Sequence, residues 1–417
     1  MKAYLLIALF VSLSFSIYVG EAVSQMEKTW YISSEGTIRD VRLNGTFLVL
    51  NDFQQIDRMV VDEGARFEQV GDEIFVIYET PELSGEKNIT AVAEIHSTYP
   101  LNIISDPPFQ PFSSKQAYGL VFYDDQIAST ASQIAEGKNG ELEVAAALAQ
   151  WANRYINYNI SYWGDPAPAT SVFKNPQGVC VGYAHLFIAM AKSVGLEARF
   201  VSGYAFAGEW QAHAWAEVKI GGQWIPVDPT FGEMGILDAR HIATSYSNDQ
   251  GEVYDSLIAK GENFTFSSNV SLGTSEEQMF QKFFSVHTVL FGDGLEVIVF
   301  NPTDFYATPT YSLDMPDYIL PDDSRILVIP PRSSTTIRYT LNTAELEPGY
   351  THEIPYEIRM QGSTFNDKLS YVKGVSASLV QPPLVGNPQT PQSPEACPFP
   401  LAFAAAALCF AAFYSRK

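Results

Sequence analysis

The sequence predicts an α+β core with β-rich regions on both sides. Between residues 116 and 250, stretches with helical spacing are followed by strand-like runs, which is typical of α+β proteins. Before and after this stretch, short runs rich in Val, Ile, Phe and Tyr alternate with Gly, Asn and Pro, which favours strands and turns. The chain of 417 residues is too long for one domain of usual size, so we expect several.

The same runs of apolar, turn-forming and Pro-rich residues predict the domain boundaries. Runs such as 74–78 predict a β-rich N-terminal domain, and runs from 295 onward have the turn spacing of an immunoglobulin-like β-sandwich. A stretch rich in Pro, Gln and Ser predicts a linker near the C-terminus. In order, we predict a signal peptide (1–22), the N-terminal domain and linker (24–115), the core domain (116–250), a connecting region (251–284), the sandwich (285–380), the Pro-rich linker (381–396) and a tail (397–417).

The two ends of the chain predict export and anchoring. Lys2 precedes an apolar run over 4–19 and a Gly-Glu-Ala sequence at 20–22, which indicates a cleaved signal peptide, with an uncleaved anchor as the alternative. An apolar run over 398–414 precedes Arg416 and Lys417, which predicts a membrane span with a cytoplasmic C-terminus. The same layout resembles prokaryotic sorting tails, with 397–400 as the recognition motif. In either case we expect a cell-membrane protein with an extracellular ectodomain.

Charge, cysteine positions and sequons narrow the possible binding partners and the cellular environment of the protein. The formal net charge is −22, from 47 acidic and 25 basic residues, so we expect no nucleic-acid partner. Of the three cysteines, Cys397 and Cys409 lie at the C-terminal end, which leaves Cys180 a free thiol in the ectodomain. The sequence also has glycosylation sequons, which suit an exported surface, at Asn44, Asn88, Asn159, Asn263 and Asn269.

Cys180 opens an apolar stretch with helical spacing. The apolar positions that set this spacing are Tyr183, Phe187, Met190 and Val194. A turn-rich sequence over 175–178 precedes the stretch and Gly195 follows it as a stop signal, so Cys180 should lie in the first helical turn. The free N–H groups and the helix dipole at such a position favour a thiolate and can bind an oxyanion. The thiol is therefore a candidate nucleophile.

His213 and Asp228 lie on two strand-like runs joined by Gly221-Gly222. A two-residue Gly-Gly connection favours a tight hairpin, in which Ile220 would face Gln223. Side chains alternate between the faces of a strand, so this register places His213 and Asp228 on one face as diagonal neighbours. A thiol, an imidazole and a carboxylate together suit acyl transfer by a cysteine, because a base must take the thiol proton and a third group must orient the base.

Several motifs in order resemble the transglutaminase-like superfamily. They are residues 178–187, residues 195–204, His213-Ala214-Trp215 and Asp228-Pro229-Thr230, preceded by a helix over 143–156 that resembles the corresponding segment of prokaryotic members. The resemblance covers roughly residues 122–231. It implies a papain-like fold with Cys180 as nucleophile, His213 as base and Asp228 as the group that orients the base. No calcium site of the animal cross-linking enzymes is recognisable, and we expect neither a metal nor a cofactor.

The neighbouring residues are open to more than one interpretation. His185 competes with His213 as the base, but it points elsewhere around the helix axis and is expected to be structural. Trp215 is a cleft wall or a core residue and is retained as a substrate-binding candidate. The Cys180 N–H should contribute to an oxyanion hole, with Gln177 or Trp163 as candidate side-chain partners.

Three functions from different classes fit these observations. A cell-surface cysteine peptidase or amidase would transfer the acyl group of a protein or peptide substrate to water. A transglutaminase would transfer it to a lysine amine and cross-link proteins. A surface binding or adhesion protein would retain the fold without the chemistry. The intact set of three residues disfavours the last, and we predict hydrolysis.

Overall fold

The computed structural model describes residues 17–110, 115–165, 167–252, 254–279, 283–360 and 363–373. The predicted linker (381–396) and tail (397–417) lie outside these residues, as does the predicted signal peptide up to residue 16. Its last six residues begin the first strand, in which Ala22 is buried and pairs with Ser97. Over the described ranges, no helix has the length and apolar character required to cross a bilayer.

The N-terminal region forms an antiparallel sheet around two long strands. Its strands are β1 (Ile17–Val49), β2 (Gln54–Val61), β3 (Ala65–Val70) and β4 (Glu73–Leu101). β1 and β4 pair along nearly their whole length, and β2 and β3 add to β4. Alternate residues of β1 and β4, among them Trp30, Phe47 and Ile89, are fully buried. The short runs visible in the sequence are thus parts of much longer strands.

The central region combines helices with a second antiparallel sheet. Its elements are α1 (Asp125–Ala135), α2 (Glu141–Tyr155), β5 (Asn157–Tyr158), α3 (Ala169–Lys174), β6 (Gln177–Gly178), α4 (Cys180–Ser193), β7 (Glu197–Phe206), β8 (Trp210–Ile220), β9 (Gln223–Asp228), β10 (Glu233–Met234) and β11 (His241–Ser247). Short 3₁₀ turns lie at Gly119–Val121, Ile160–Tyr162 and Gln250–Glu252. The sheet order is β10-β9-β8-β7-β11, and β5 pairs with β6 in parallel.

Helix α4 is buried at the centre of this region. Residues 180–192 are all buried, because the helix is apolar nearly all round and packs between α1, α2 and α3 on one side and β7 and β8 on the other. Phe187 and Ala189 are fully inaccessible and share one core with Ala216 and Val227 of the sheet. The predicted α+β core is therefore present, with the helix that begins at Cys180 packed on the strands that carry His213 and Asp228.

The β8–β9 hairpin has the register that the sequence predicts. Gly221 and Gly222 form the turn with φ of +56° and +89°, a left-handed pair that glycine adopts without steric cost. Ile220 pairs with Gln223, and Ala216 pairs with Val227. The apolar face of the hairpin joins the core beneath α4. The opposite face carries His213 and Asp228, which confirms that they are neighbours.

The chain then returns to the N-terminal sheet. The region predicted as a connection, 251–284, contains β12 (Ser256–Lys260) and β13 (Phe264–Met279), and both pair with β1. The proline-dense arm before α1 also contacts the core, because Asp106 accepts a hydrogen bond of 2.8 Å from the Leu142 N–H of α2. Neither segment runs free between domains in the described residues.

The C-terminal region contains two further antiparallel sheets. Its strands are β14 (Ser285–Phe291), β15 (Gly294–Phe300), β16 (Thr310–Asp314), β17 (Asp323–Ile326), β18 (Ser334–Thr340), β19 (Thr351–Met360) and β20 (Ser363–Val372). The orders are β14-β15-β18 and β17-β16-β19-β20. Both sheets contribute to one core that includes Val297, Tyr311 and Ile358. The immunoglobulin-like topology of this region remains a prediction.

Candidate active site

Cys180 is the first residue of α4, as the sequence predicts. Val179 precedes it with an extended backbone, and no side chain caps the helix start. No side-chain acceptor therefore competes for the N–H groups of the first turn. Cys180 is a buried free thiol that lines a pocket of about 220 Å³. The thiol and uncapped N–H groups thus lie together where a substrate can reach them.

His213 and Asp228 form a short hydrogen-bonded pair next to this thiol. His213 Nε2 lies 2.7 Å from Asp228 Oδ2, and the other side of the imidazole is a hydrogen-bond partner of Cys180. Burial opposes the charged form of His213, but the charge and hydrogen bond of Asp228 outweigh burial and hold the pKa of His213 well above its usual range. The three predicted residues are therefore brought together in the order thiol, imidazole, carboxylate.

The loop after β9 fixes the Asp228 carboxylate from its other side. Asp228 is fully buried, and its Oδ1 accepts hydrogen bonds from the backbone N–H of Thr230 (2.8 Å) and of Phe231 (3.2 Å). Burial favours the neutral acid, but the histidines bonded to it hold the pKa of Asp228 below its usual range. The carboxylate is therefore ionised and has a fixed orientation.

Two aromatic rings hold the His213 imidazole. Phe231 stacks on it with ring centroids 4.8 Å apart and planes 12° apart, and Trp215 lies at 6.0 Å and 24°. Phe231 is 39% exposed, whereas Trp215 is 3% exposed among Val201, Leu237 and other core residues. Phe231 thus covers the imidazole toward solvent, and Trp215 supports it from the core.

A second histidine, which the sequence did not single out, bonds the same carboxylate. His241 Nε2 lies 3.2 Å from Asp228 Oδ2, and His241 Nδ1 lies 2.8 Å from the backbone carbonyl of Asp238. Donor atoms of His213, Asp228 and His241 lie within 4.8 Å of one another, which is a spacing that can hold a metal ion. In the structure, however, both imidazoles are in direct hydrogen-bond contact with the carboxylate. The cluster is therefore a hydrogen-bonded one.

The pocket contains one of the predicted substrate-binding candidates. Trp163 is 53% exposed and lines the pocket beside Cys180, Asp165 and Tyr204. Trp215 lies in the core behind His213 and does not line the pocket. Gln177 is also not in the lining, and its side-chain carbonyl accepts a hydrogen bond of 2.7 Å from Asn159. Of the two proposed oxyanion partners, Trp163 is the one that reaches the pocket.

Comparison with known proteins identifies the central region. Residues 128–229 match the model of a family described as the transglutaminase-like superfamily. The chain contains a transglutaminase-like domain. The match ends at Pro229, so it contains Cys180, His213 and Asp228 but not His241.

Individual relatives match the same part of the chain. The protein ML0607 of Mycobacterium leprae, which is uncharacterized, is 32% identical over 114 residues, which are 25% of this chain and 40% of that protein. Human kyphoscoliosis peptidase is 29% identical over 121 residues, 26% of this chain and 18% of the peptidase. The chain therefore spans less than half the length of these curated relatives.

Solved structures show a weaker likeness. A Cytophaga hutchinsonii protein, provisionally described as a cysteine protease, superimposes with a TM-score of 0.46 at 15% identity, over 64% of this chain and 96% of that protein. The transglutaminase of red sea bream superimposes with a TM-score of 0.23 at 8% identity, over 80% of this chain and 90% of that enzyme. The family assignment therefore rests on the match of residues 128–229.

His185 has a structural position in the transglutaminase-like domain. It is fully buried, its Nδ1 lies 2.9 Å from the Ala167 carbonyl, and its Nε2 accepts a hydrogen bond of 3.2 Å from the Gln250 N–H. His185 also contacts the Phe200 ring and is not in the pocket lining. Both ring nitrogens are thus engaged by the backbone, and His213 is the histidine that reaches Cys180.

The predicted sequons differ in exposure. The asparagines with exposed side chains are Asn44, Asn88, Asn263 and Asn269. Asn159, in the transglutaminase-like domain, is half-buried, and its carbonyl accepts hydrogen bonds from the N–H and hydroxyl of Ser161 while its amide donates to Gln177. A glycan at Asn159 would be attached to the nitrogen that donates this hydrogen bond.

Proposed function

We propose that the chain is a cysteine peptidase or amidase in which Cys180, His213 and Asp228 act together. The observation that carries this proposal is the hydrogen-bonded series from the thiol through His213 to a fully buried carboxylate, at the uncapped start of a helix and beside a pocket. The same three residue types in this arrangement activate cysteine nucleophiles in general. The name of the human relative, a peptidase, agrees with hydrolysis.

The proposed reaction starts from the state in which His213 holds the proton of the Cys180 thiol. The thiolate attacks the carbonyl carbon of the substrate amide, and the carbonyl π electrons move to oxygen, where the Cys180 N–H stabilises the negative charge. When the C–N bond breaks, His213 gives its proton to the leaving amine. A thioester between Cys180 and the acyl group remains.

Water then releases the acyl group. His213, now neutral, takes a proton from a water molecule as the oxygen attacks the thioester carbonyl. The C–S bond breaks, and the proton returns from His213 to Cys180 as the carboxylic acid leaves. Asp228 keeps His213 Nε2 as a donor throughout, so the opposite nitrogen faces the thiol in both steps.

The pocket favours neutral or cationic acyl groups. Asp165 contributes a carboxylate and Trp163 an exposed ring, and the described lining residues include no Lys or Arg. Gln250 also lines the pocket, and its side-chain carbonyl is buried without a hydrogen-bond partner. A donor group on the substrate, such as an amide N–H, would satisfy this carbonyl. We therefore propose peptide or amide substrates without acidic side chains at this position.

The decisive experiment compares the two possible acyl acceptors. The purified full-length chain is incubated with casein and, separately, with a Gln-containing peptide plus a dansylated amine, and the products are identified by mass spectrometry. Cys180→Ser is the control, because it keeps the size of the side chain and lacks the thiol. New peptide termini that require Cys180 would support the peptidase. Amine incorporation without cleavage would support a transglutaminase, and neither product across a broad substrate panel would favour a binding protein.

We further propose that the protein is exported and anchored at the cell membrane by its C-terminal tail. The supporting features are the sequence pattern of the two ends and the exposure of four of the five sequon asparagines. Protease added to intact cells should degrade the bulk of the chain, and truncation at Ala396 should release it into the medium. Truncated protein that stays with the cells would contradict a C-terminal anchor.

A further inference from the structure

The Asp228 carboxylate accepts hydrogen bonds from two histidines rather than one. Its Oδ2 atom lies 2.7 Å from His213 Nε2 and 3.2 Å from His241 Nε2, while the backbone N–H groups of Thr230 and Phe231 occupy Oδ1. His241 is 2% exposed and begins β11, the edge strand next to β7. It does not line the substrate pocket, so it acts on the reaction through the residues that it contacts, which are Asp228 and, with ring centroids 5.7 Å apart, His213.

The hydrogen-bond partners of His241 define its protonation state. Nδ1 faces the backbone carbonyl of Asp238 at 2.8 Å, and a carbonyl oxygen can only accept. Nε2 faces Asp228 Oδ2, which also can only accept while Asp228 is ionised. Two acceptors require two donors, so both nitrogens of His241 carry protons and the ring is an imidazolium.

His185 provides an internal comparison. It is also fully buried, but one of its nitrogens faces the Ala167 carbonyl and the other accepts from the Gln250 N–H. One acceptor and one donor require a single ring proton, which is the neutral form. The different partners thus assign opposite charge states to two buried histidines of the same domain.

The charges around His241 agree with this assignment. Asp228 of β9, Glu233 of β10 and Asp238 of the following loop interact with it as acidic groups, and His213 of β8 faces it as a second cation. Burial opposes the charge of His241, but the hydrogen bond and charge of Asp228, together with Glu233, raise its pKa. Burial also raises the pKa of Glu233 to about 7, so Glu233 is only partly ionised at neutral pH, whereas Asp228 is hydrogen-bonded to His241 as a carboxylate.

We propose that His241 is a positioning residue of the active site: a buried imidazolium that holds the Asp228 carboxylate in place and offsets part of the charge that Asp228 presents to His213. This role rests on the proposed function, in which His213 carries the proton that passes between thiol and leaving group. With its charge partly offset, Asp228 orients His213 without binding its proton too tightly for transfer. The sign of the effect follows, because removal of the positive charge of His241 strengthens the hold of Asp228 on the His213 proton.

The test is nitrogen-15 NMR of the full-length chain with labelled histidines, of which there are six. In the wild type, both His241 nitrogens should have the chemical shifts of a protonated imidazolium between pH 6 and 8. In His241→Gln, which keeps a donor without the charge, the titration midpoint of His213 should move to higher pH by about one unit or more. His96→Gln is the matched control, because His96 pairs with Glu21 in the N-terminal sheet and has no contact with Asp228.

The outcomes separate this inference from the proposed function. A neutral tautomer of His241 in the wild-type spectrum at pH 7 would overturn it, and that spectrum is decisive even if the variant fails to fold. An unchanged His213 midpoint in folded His241→Gln would equally overturn it. Because the spectra require no turnover, an absence of peptidase activity would refute the function and leave the role of His241 to be decided by the spectra.

Discussion

The substitution Asp228→Asn tests the active-site assignment most directly. The Asp228 side chain is fully buried and accepts four hydrogen bonds, two from backbone N–H groups and two from imidazoles. If the asparagine carbonyl keeps the backbone bonds at Oδ1, its NH₂ group meets the two imidazole N–H donors. A hydrogen bond to a charged group contributes about 1.5–3 kcal/mol, so two lost bonds correspond to about 3–6 kcal/mol. Each imidazole can release a proton and accept instead, so we expect a stability loss near the lower value, about 3 kcal/mol.

The same substitution should change the rate and its pH dependence. Loss of the orienting carboxylate should lower kcat by about 100- to 10,000-fold with little change in KM. In the wild type, Asp228 raises the pKa of His213, so the His213 proton is retained well above the usual imidazole value of about 6.5. Without that charge, burial dominates and lowers the pKa of His213. The alkaline limb of kcat/KM, which reports loss of this proton, should therefore move to lower pH.

The assay is the pH profile of kcat/KM on a fluorogenic peptide, with urea unfolding for stability. Asp255→Asn is the matched control, because Asp255 is a largely covered carboxylate, 10% exposed and paired with Lys28 at 2.9 Å, but it does not contact the site. The control should lose stability and keep the alkaline limb of the wild type. An Asp228→Asn variant with a wild-type alkaline limb would refute the reasoning.

Three further predictions follow from the packing. Phe231→Ala removes the ring stacked on His213 at 4.8 Å and should lower kcat by about two- to tenfold, measured with the same peptide. Phe187→Ala leaves a cavity in the fully buried core of α4 and should cost about 3–5 kcal/mol in urea unfolding. Gly203→Ala would place a Cβ 2.0 Å from the Ile242 carbonyl oxygen, so β7 and β11 must separate, at a cost of about 1–3 kcal/mol measured by the same unfolding.

Each of these substitutions has a control in the same chain. Tyr318→Ala removes a half-exposed ring away from the site and should leave kcat unchanged. Tyr254→Ala, at an exposed ring, should leave stability within about 0.5 kcal/mol of the wild type. Gly36→Ala is the control for Gly203→Ala, because a Cβ at Gly36 would have no atom within 4 Å, and it should leave stability unchanged. If a control variant lost as much activity or stability as its partner, the corresponding contact would not be the cause.

Signals close together in the sequence predicted most of the site. Apolar spacing and Gly195 placed Cys180 at the start of α4, and the structure begins that helix at Cys180. The Gly221-Gly222 pair predicted the hairpin register that brings His213 and Asp228 onto one face. Helix periodicity and two-residue turns act over a few residues, so their physical rules are visible without knowledge of the rest of the chain.

Other features depend on segments that are far apart in the sequence. Trp215 was a substrate-binding candidate on its position beside His213, but its environment in the core depends on Leu237 and Ala243 of later segments. The region predicted as a connection, 251–284, forms β12 and β13 because they pair with an edge of β1. Strand pairing over such separations depends on which edges and faces remain to be buried, which no local pattern records.

His241 shows most clearly which features the local sequence predicts and which depend on the tertiary structure. The sequence by itself determined the identity and local geometry of the thiol, the imidazole and the carboxylate, because each lies in an element defined by its own neighbours. Nothing near His241 distinguishes it from an ordinary strand residue. Only the pairing of β11 with β7, at Ala205, carries its ring to the buried side of Asp228. The tertiary structure therefore decided the charge that this carboxylate presents to His213, since electrostatic interactions depend on distance in space rather than along the chain.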